Sequence, residues 1–154
     1  HTYRSQVAPV NGTMGYGVPA AVAAKLVQPA RMVVAFAGDG CFLMNGQELA
    51  TAVHYELNII VIVINNGMYG TIRMHQELRF PTRTIATALS NPDFAAYARA
   101  FGAFGAVVER TAEFAPAFEA ALAADRPALL ELRIDPDAIS PRTTLSALRS
   151  QAQR

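Results

Sequence analysis

Residues 32–70 read MVVAFAGDGCFLMNGQELATAVHYELNIIVIVINNGMYG, and this stretch decides the fold. Two apolar runs, at 32–37 and 59–64, flank a helical pattern at 45–57. Strands that are apolar throughout are typical of parallel sheets that helices cover on both faces. We therefore expect a strand–helix–strand unit whose two strands lie at the centre of a parallel sheet.

The rest of the chain continues this alternation. Further strands are expected at 106–109 and 128–134, and further helices at 17–27, 69–78, 93–101 and 113–124. The tail at 140–154 is either a docking helix or disordered. Alternating strands and helices predict an α/β fold, with three α/β/α layers around a mainly parallel sheet.

Composition excludes several classes of protein. The chain has 154 residues, 52% of them hydrophobic, which suits one core, so 1–154 is expected to be a single domain. A formal charge of +1 argues against a nucleic-acid partner, and no apolar run approaches the roughly 20 residues that span a membrane. The single cysteine, Cys41, favours the cytoplasm. Because the sequence opens with His1 and a loop-like segment, we expect it to be part of a longer multidomain chain.

Polar motifs follow both strands of the central unit. Gly38-Asp39-Gly40 ends the first strand, and Asn65-Asn66-Gly67 ends the second. The carboxyl ends of neighbouring parallel strands open onto the ligand crevice, so Asp39 and Asn66 should converge. Carboxylate and amide oxygens suit Mg²⁺, which completes its shell with water and phosphates. Gly38 and Gly40 would let the backbone approach a diphosphate, and the helix at 45–57 would favour its negative charge.

Each motif alone is more often a simple turn. Their spacing changes the interpretation, because the 24 residues at 41–64 that separate Gly40 from Asn65 contain one helix and one buried strand. That is one crossover unit, so the two motifs should share a site.

Together these motifs resemble the thiamine diphosphate fingerprint. The stretch at 38–73, GDGCFLMNGQELATAVHYELNIIVIVINNGMYGTIR, is similar to the acetolactate synthase and benzoylformate decarboxylase group, as is GTMGYGVPAA at 12–21. The resemblance implies the C-terminal, diphosphate-binding domain of a lyase or transferase. Such an enzyme uses thiamine diphosphate and Mg²⁺ to decarboxylate or ligate 2-oxo acids.

The resemblance also implies roles for individual residues. The metal would be bound by Asp39, Asn66 and the backbone carbonyl of Met68. The Met14 side chain would wedge between the cofactor rings, and the Gly12 carbonyl would accept a hydrogen bond from the aminopyrimidine. The remaining cofactor-binding positions are Gly38, Gly40, Cys41, Tyr69 and Gly70, with the backbone around Gly40 and Cys41 on the diphosphate.

Some of these residues have a plainer interpretation. Met14 could simply fill the core, as methionine often does, and Cys41 could be buried packing. Ile72 and His75 would face the substrate according to the resemblance. For His75 and Tyr69, a role in helix packing is nearly as plausible.

The resemblance implies further partners besides the 2-oxo acid. The glutamate that activates the cofactor would come from a separate pyrimidine-binding domain, and no residue of this chain replaces it. The apolar surface facing that domain should favour self-association, so we expect a homo-oligomer. Two other functions suit the same fold, namely a non-catalytic cofactor- or phosphate-binding domain and an unrelated flavodoxin-like phosphate binder.

Overall fold

A computed structural model describes residues 5–153 and shows a parallel four-stranded sheet. Its strands are β1 (Val33–Gly38), β2 (Ile59–Asn65), β3 (Phe104–Val108) and β4 (Ala128–Arg133), in the order β1-β2-β4-β3. A small antiparallel hairpin follows, formed by β5 (Ala138–Ser140) and β6 (Thr143–Thr144). The predicted strand–helix–strand unit is present, with Gly38 in register with Ile64.

The prediction that both strands of this unit are central is wrong for β1. Within the described residues β2 and β4 occupy the centre, and β1 lies at an edge. Phe36 on β1 is 70% exposed, because the helix that covers the second face packs on β3 and β4 instead. An apolar run therefore did not distinguish an edge strand from a central one.

Seven α-helices connect and cover the strands within residues 5–153. They are α1 (Gly17–Val27), α2 (Asp39–Asn45), α3 (Leu49–His54), α4 (Gly70–Arg79), α5 (Phe94–Ala100), α6 (Thr111–Ala123) and α7 (Leu145–Ala152). One face of the sheet packs against α1, α2, α3 and α5, and the other packs against α6. The predicted three-layer α/β/α fold is confirmed.

The helix predicted at 45–57 begins earlier and is interrupted. Asp39 is already the first residue of α2, and a 3₁₀ turn at Gly46–Glu48 separates α2 from α3. Glycine is a poor helix former, and a Cβ at Gly46 would lie 2.6 Å from the Phe42 ring. Close packing against Phe42 thus requires glycine at position 46, where the helix breaks, and the Gly-Asp-Gly motif spans the junction of β1 and α2, with Asp39 and Gly40 already on the helix.

Helices α5 and α7 are each stabilised by a specific side-chain contact. The Asp93 side chain caps α5 by accepting from the Ala96 N–H at 2.7 Å, at the start of the helix predicted at 93–101. At the tail, α7 packs against α4, where Arg149 donates to the buried Glu77. Of the two alternatives for the tail, the docking helix is correct. No helix in the described range is long and apolar enough to cross a membrane.

Candidate functional site

Asp39 lies where β1 passes directly into α2. Its side chain is only 2% exposed, and both carboxylate oxygens accept hydrogen bonds. Oδ1 accepts from the Gly40 N–H at 2.9 Å, and Oδ2 accepts from the Gly67 N–H at 2.8 Å. The second contact joins the ends of β1 and β2, so the two motifs converge as their spacing predicted.

The loop after β2 presents two further oxygen atoms at this edge. The Asn66 Oδ1 accepts from the Met68 N–H at 3.1 Å, which orients the amide. Met68 forms an antiparallel bridge with Ala88, in which the hydrogen bonds come from the flanking residues. In this kind of pair the N–H and C=O of Met68 point away from the partner segment. No backbone N–H of the described residues donates to the Met68 carbonyl.

The charge of Asp39 is not balanced by the protein. No arginine, lysine or histidine of residues 5–153 forms an ion pair with it, whereas the other two buried carboxylates, Glu77 and Glu131, each have an arginine partner. A buried carboxylate that has only neutral donors retains a strong attraction for a cation. The environment of Asp39 therefore suits a bound positive charge.

The donor set resembles what magnesium uses with phosphates. The described residues contain no cluster of three or more histidine, cysteine, aspartate or glutamate side chains that could hold a metal unaided. Mg²⁺ is commonly held by one or two carboxylates, with waters and substrate phosphates completing six oxygens. Asp39, Asn66 and the Met68 carbonyl match that pattern in number and chemistry.

The two glycines of Gly38-Asp39-Gly40 have different surroundings. A Cβ at Gly38 would meet no atom within 4 Å, so space remains beside its backbone. A Cβ at Gly40 would lie 2.4 Å from Cε1 of Tyr69. The Tyr69 ring therefore requires glycine at position 40, whereas the predicted approach of the backbone at both glycines to a diphosphate stays a prediction. Tyr69 thus has a packing role at the site.

Gly70 and Cys41 complete the predicted cofactor positions near this edge. A Cβ at Gly70 would lie 2.9 Å from Nδ2 of Asn66, so Gly70 makes room for the Asn66 amide. Cys41, the third residue of α2, is a half-buried free thiol that also packs against the core. Both observations agree with the plainer packing role for Cys41.

The Asn45 side chain links the segment with Gly12 and Met14 to the C-terminal end of α2. Gly12 has a φ of +66° and Gly15 a φ of +81°, conformations that favour glycine. The Asn45 Nδ2 donates to the Gly15 carbonyl at 3.0 Å and so ties the turn to the end of α2. Met14 is half-buried in this turn. Sequence reasoning missed Asn45, because its partner lies 30 residues away.

The two predicted substrate residues lie on the outer face of α4. Ile72 is 47% exposed and His75 is exposed too, so the helix-packing alternative does not apply to His75. The opposite face carries Glu77, to which Arg149 and Arg73 donate at 2.7 and 2.9 Å. These arginine hydrogen bonds, above all those of Arg149, lower the pKa of Glu77 to about 2 despite its burial. Glu77 therefore anchors α4 while Ile72 and His75 remain accessible.

The polar residues Asn91 and Glu131 were not predicted at the site, and they connect to Asn65 of the predicted Asn65-Asn66-Gly67 motif. Asn91 donates to Asp39 at 2.7 Å, Asn65 lies beside it, and Glu131 accepts from Asn65 at 2.8 Å. The carboxylate of Glu131 in the otherwise apolar run ALLEL at 128–132 was the available signal. A buried charge in a central strand is more informative than its apolar neighbours.

Comparison with known proteins agrees with this geometry. Residues 1–132 match the family model described as thiamine pyrophosphate enzyme, C-terminal TPP binding domain, thiamine pyrophosphate being another name for thiamine diphosphate. The chain is 43% identical over 122 residues to a putative thiamine pyrophosphate-containing protein, YdaP, of Bacillus subtilis, and 41% identical over 125 residues to the acetolactate synthase isozyme 2 large subunit of Escherichia coli. These matches cover 79% and 80% of this chain but only 21% and 23% of the two relatives.

A solved structure shows the same fold. The thiamine diphosphate-dependent 4-hydroxybenzoylformate decarboxylase of Rhodococcus jostii superposes with a TM-score of 0.77 at 35% identity, over 82% of this chain and 24% of that one. The chain thus spans about a fifth to a quarter of the proteins that it matches. The predicted family, fold class and thiamine cofactor are confirmed, and the chain belongs to the thiamine pyrophosphate enzymes as their C-terminal, cofactor-binding domain.

Proposed function

We propose that this chain anchors thiamine diphosphate and Mg²⁺ in an enzyme that decarboxylates 2-oxo acids, with or without transfer of the remaining acyl unit. The observation that carries the metal proposal is the buried Asp39 carboxylate, which has no ion pair within residues 5–153 and lies at the same sheet edge as the Asn66 amide and the Met68 carbonyl. Family membership supports the cofactor, and the named relatives support the reaction class.

The chain's own residues would bind and orient the cofactor. Asp39, Asn66 and the Met68 carbonyl would hold the cation, and the backbone at 38–41 would lie along the diphosphate, beside the open space at Gly38. Met14 would press between the cofactor rings, with the Gly12 carbonyl on the aminopyrimidine. Thiamine diphosphate, when bound, supplies the nucleophilic carbon and the electron sink that 2-oxo acid decarboxylation requires.

Substrate selection is assigned to the outer face of α4. Ile72 and His75 are accessible there, and they lie close in sequence to Met68 and Tyr69 at the site. In this proposal they contact the 2-oxo acid once the cofactor is bound. The exposure of Ile72 and His75 supports this contact with the substrate.

The complete enzyme would need partners that this chain does not contain. A pyrimidine-binding domain would supply the activating glutamate, and a homo-oligomer would place that domain against this one. The apolar side chains of Phe36 on β1 and of Leu43 and Met44 on α2 are exposed, and β1 and α2 meet at Asp39. Their exposure supports such an interface. We assign residues 1–154 to one domain of a longer enzyme, located in the cytoplasm, where the Cys41 thiol would remain reduced.

Two measurements on the intact gene product test this function. Calorimetric titration with thiamine diphosphate should show binding with Mg²⁺ and little binding in EDTA. A steady-state assay over a panel of 2-oxo acids should then show turnover. Magnesium-dependent binding without turnover of any 2-oxo acid would favour the non-catalytic alternative. Equal affinity for thiamine diphosphate with Mg²⁺ and in EDTA would overturn the metal site. The unrelated flavodoxin-like alternative is already excluded by the family match.

A further inference from the structure

Asn91 connects Asp39 to the interior of the sheet. It lies in the irregular segment before α5, and its Nδ2 donates to Oδ2 of Asp39 at 2.7 Å and to Oδ1 of Asn65 at 2.8 Å. These partners are 52 and 26 residues away in the sequence. One amide group thus contacts the ends of both β1 and β2.

The direction of these hydrogen bonds is set by Glu131. This buried carboxylate accepts from the Phe94 N–H at 3.1 Å, from Nε of Arg133 at 3.0 Å and from Nδ2 of Asn65 at 2.8 Å. Because an ionised carboxylate can only accept, the nitrogen of Asn65 must face Glu131 and its oxygen must face Asn91. Asn91 then has to present its own nitrogen to Asn65 and Asp39.

The amide oxygen of Asn91, Oδ1, indicates that the surrounding acceptors impose this orientation. It is buried and has no hydrogen-bond partner among the described residues. A buried polar atom left unpaired costs about 1–3 kcal/mol. Rotating the amide by half a turn would place that oxygen against two acceptors, the oxygens of Asp39 and Asn65. The unpaired oxygen is therefore the less costly of the two arrangements.

The two oxygens of Asp39 consequently differ. Oδ2 accepts from both Gly67 and Asn91 and has no further lone pair in the plane of the carboxylate. Within the described part of the chain, Oδ1 accepts only from Gly40 and retains one such lone pair. We propose that Asn91 is a positioning residue, which holds Asp39 so that Oδ1 alone is presented to the divalent cation. This inference rests on the metal site of the proposed function.

The proposal predicts that Asn91 affects the binding of Mg²⁺ and of Ca²⁺ differently. With Oδ2 occupied, Asp39 acts as a one-oxygen ligand, which suits the small octahedral shell of Mg²⁺. Without Asn91, Oδ2 still accepts from Gly67 but regains a free lone pair, so Asp39 can offer both oxygens, an arrangement that Ca²⁺ accommodates. Loss of Asn91 should therefore weaken Mg²⁺ binding more than Ca²⁺ binding.

The test uses calorimetry to titrate Mg²⁺ and Ca²⁺ separately into the metal-free intact gene product in the presence of excess thiamine diphosphate. We expect Asn91→Ala to weaken Mg²⁺ binding about 10- to 100-fold, the usual cost of removing a partner of a metal ligand, and Ca²⁺ binding clearly less. Asn91→Ser, whose hydroxyl is too short to span both acceptors, should shift the preference in the same direction and serves if Asn91→Ala does not fold.

Asn58→Ala is the matched control. Asn58 donates to Oδ1 of Asp125 at 2.8 Å, at the opposite end of β2, so this variant removes an amide–carboxylate contact away from the site. It should bind both cations as the wild type does. Unchanged Mg²⁺ affinity in the Asn91 variants, or an equal fall for both cations, overturns the positioning role. A wild-type protein that binds neither cation overturns the proposed metal site instead.

Discussion

Asp39 and Glu77 are both buried carboxylates, but they have different partners. Glu77 accepts from two arginines, with Arg149 at 2.5 and 2.7 Å and Arg73 at 2.9 Å. Among residues 5–153, Asp39 accepts only from two backbone N–H groups and the Asn91 amide. Arginines balance the charge of Glu77, whereas neutral donors orient Asp39, whose charge we propose is balanced by a bound cation.

The contrast separates two uses of a buried acid. At Glu77 the ion pairs join α4 to α7, two helices that are distant in sequence. At Asp39 the hydrogen bonds join the ends of two neighbouring strands and, in our proposal, leave Oδ1 to face the cation. Removing Glu77 should therefore affect stability, and removing Asp39 should affect ligand binding.

The largest expected effect comes from Asp39→Ala. This variant loses the charged ligand, so the magnesium-dependent affinity for thiamine diphosphate should fall by more than about 100-fold, beyond the usual cost of losing a residue that only supports a ligand. Asn66→Ala loses a neutral oxygen and should weaken binding less. Calorimetric titration of the intact gene product measures both, and wild-type affinity in Asp39→Ala would contradict the metal assignment.

The second-largest expected effect is the loss of stability in Glu77→Ala. Removing one partner of a buried pair costs about 3–5 kcal/mol, and we expect about 2–3 kcal/mol here because the arginines reach solvent with 23% and 35% of their side chains exposed. Urea unfolding measures the loss. Glu119→Ala, at an exposed position on α6, is the control. A Glu77 variant with unchanged stability would remove the basis of the comparison.

The two glycines of the motif offer a smaller, paired test. Gly40→Ala places a Cβ 2.4 Å from the Tyr69 ring and should cost about 1–3 kcal/mol through overpacking. Gly38→Ala meets open space with an ordinary φ of −66°, so its stability should change by less than about 0.5 kcal/mol. Thermal unfolding of the two variants should separate them, and equal losses would show that the Tyr69 contact is not what requires Gly40.

The smallest expected effect is on the pH dependence of stability. Since hydrogen bonds from Arg149 lower the pKa of Glu77 from 4.5 to about 2, Glu77 contributes stability above pH 4.5 and loses it as the pH falls towards 2. The unfolding midpoint of the wild type should therefore fall more steeply across that range than that of Glu77→Gln. Parallel curves for the two proteins would mean that Glu77 does not titrate differently in the folded state.

Local features of the sequence were enough to predict part of the site. Asp39 and Asn66 each follow an apolar strand directly, and parallel pairing in register brings such strand ends together. The contacts that join Asn91 and Glu131 to Asp39, Asn65 and Phe94 were not predictable in this way, because these partners lie 26 to 66 residues away. The break at Gly46 was also missed, since a single glycine inside a helical pattern did not mark it.

By itself, the sequence determined the α/β class, the strand–helix–strand unit and the two polar motifs at its strand ends, because periodicity and spacing are local properties. The tertiary structure decided that β1 lies at an edge, that Glu77 is neutralised by Arg149, and that no cationic side chain of residues 5–153 pairs with Asp39. These outcomes depend on which distant residues come to lie beside a charge or a strand. Only the packing of the whole chain fixes those neighbours.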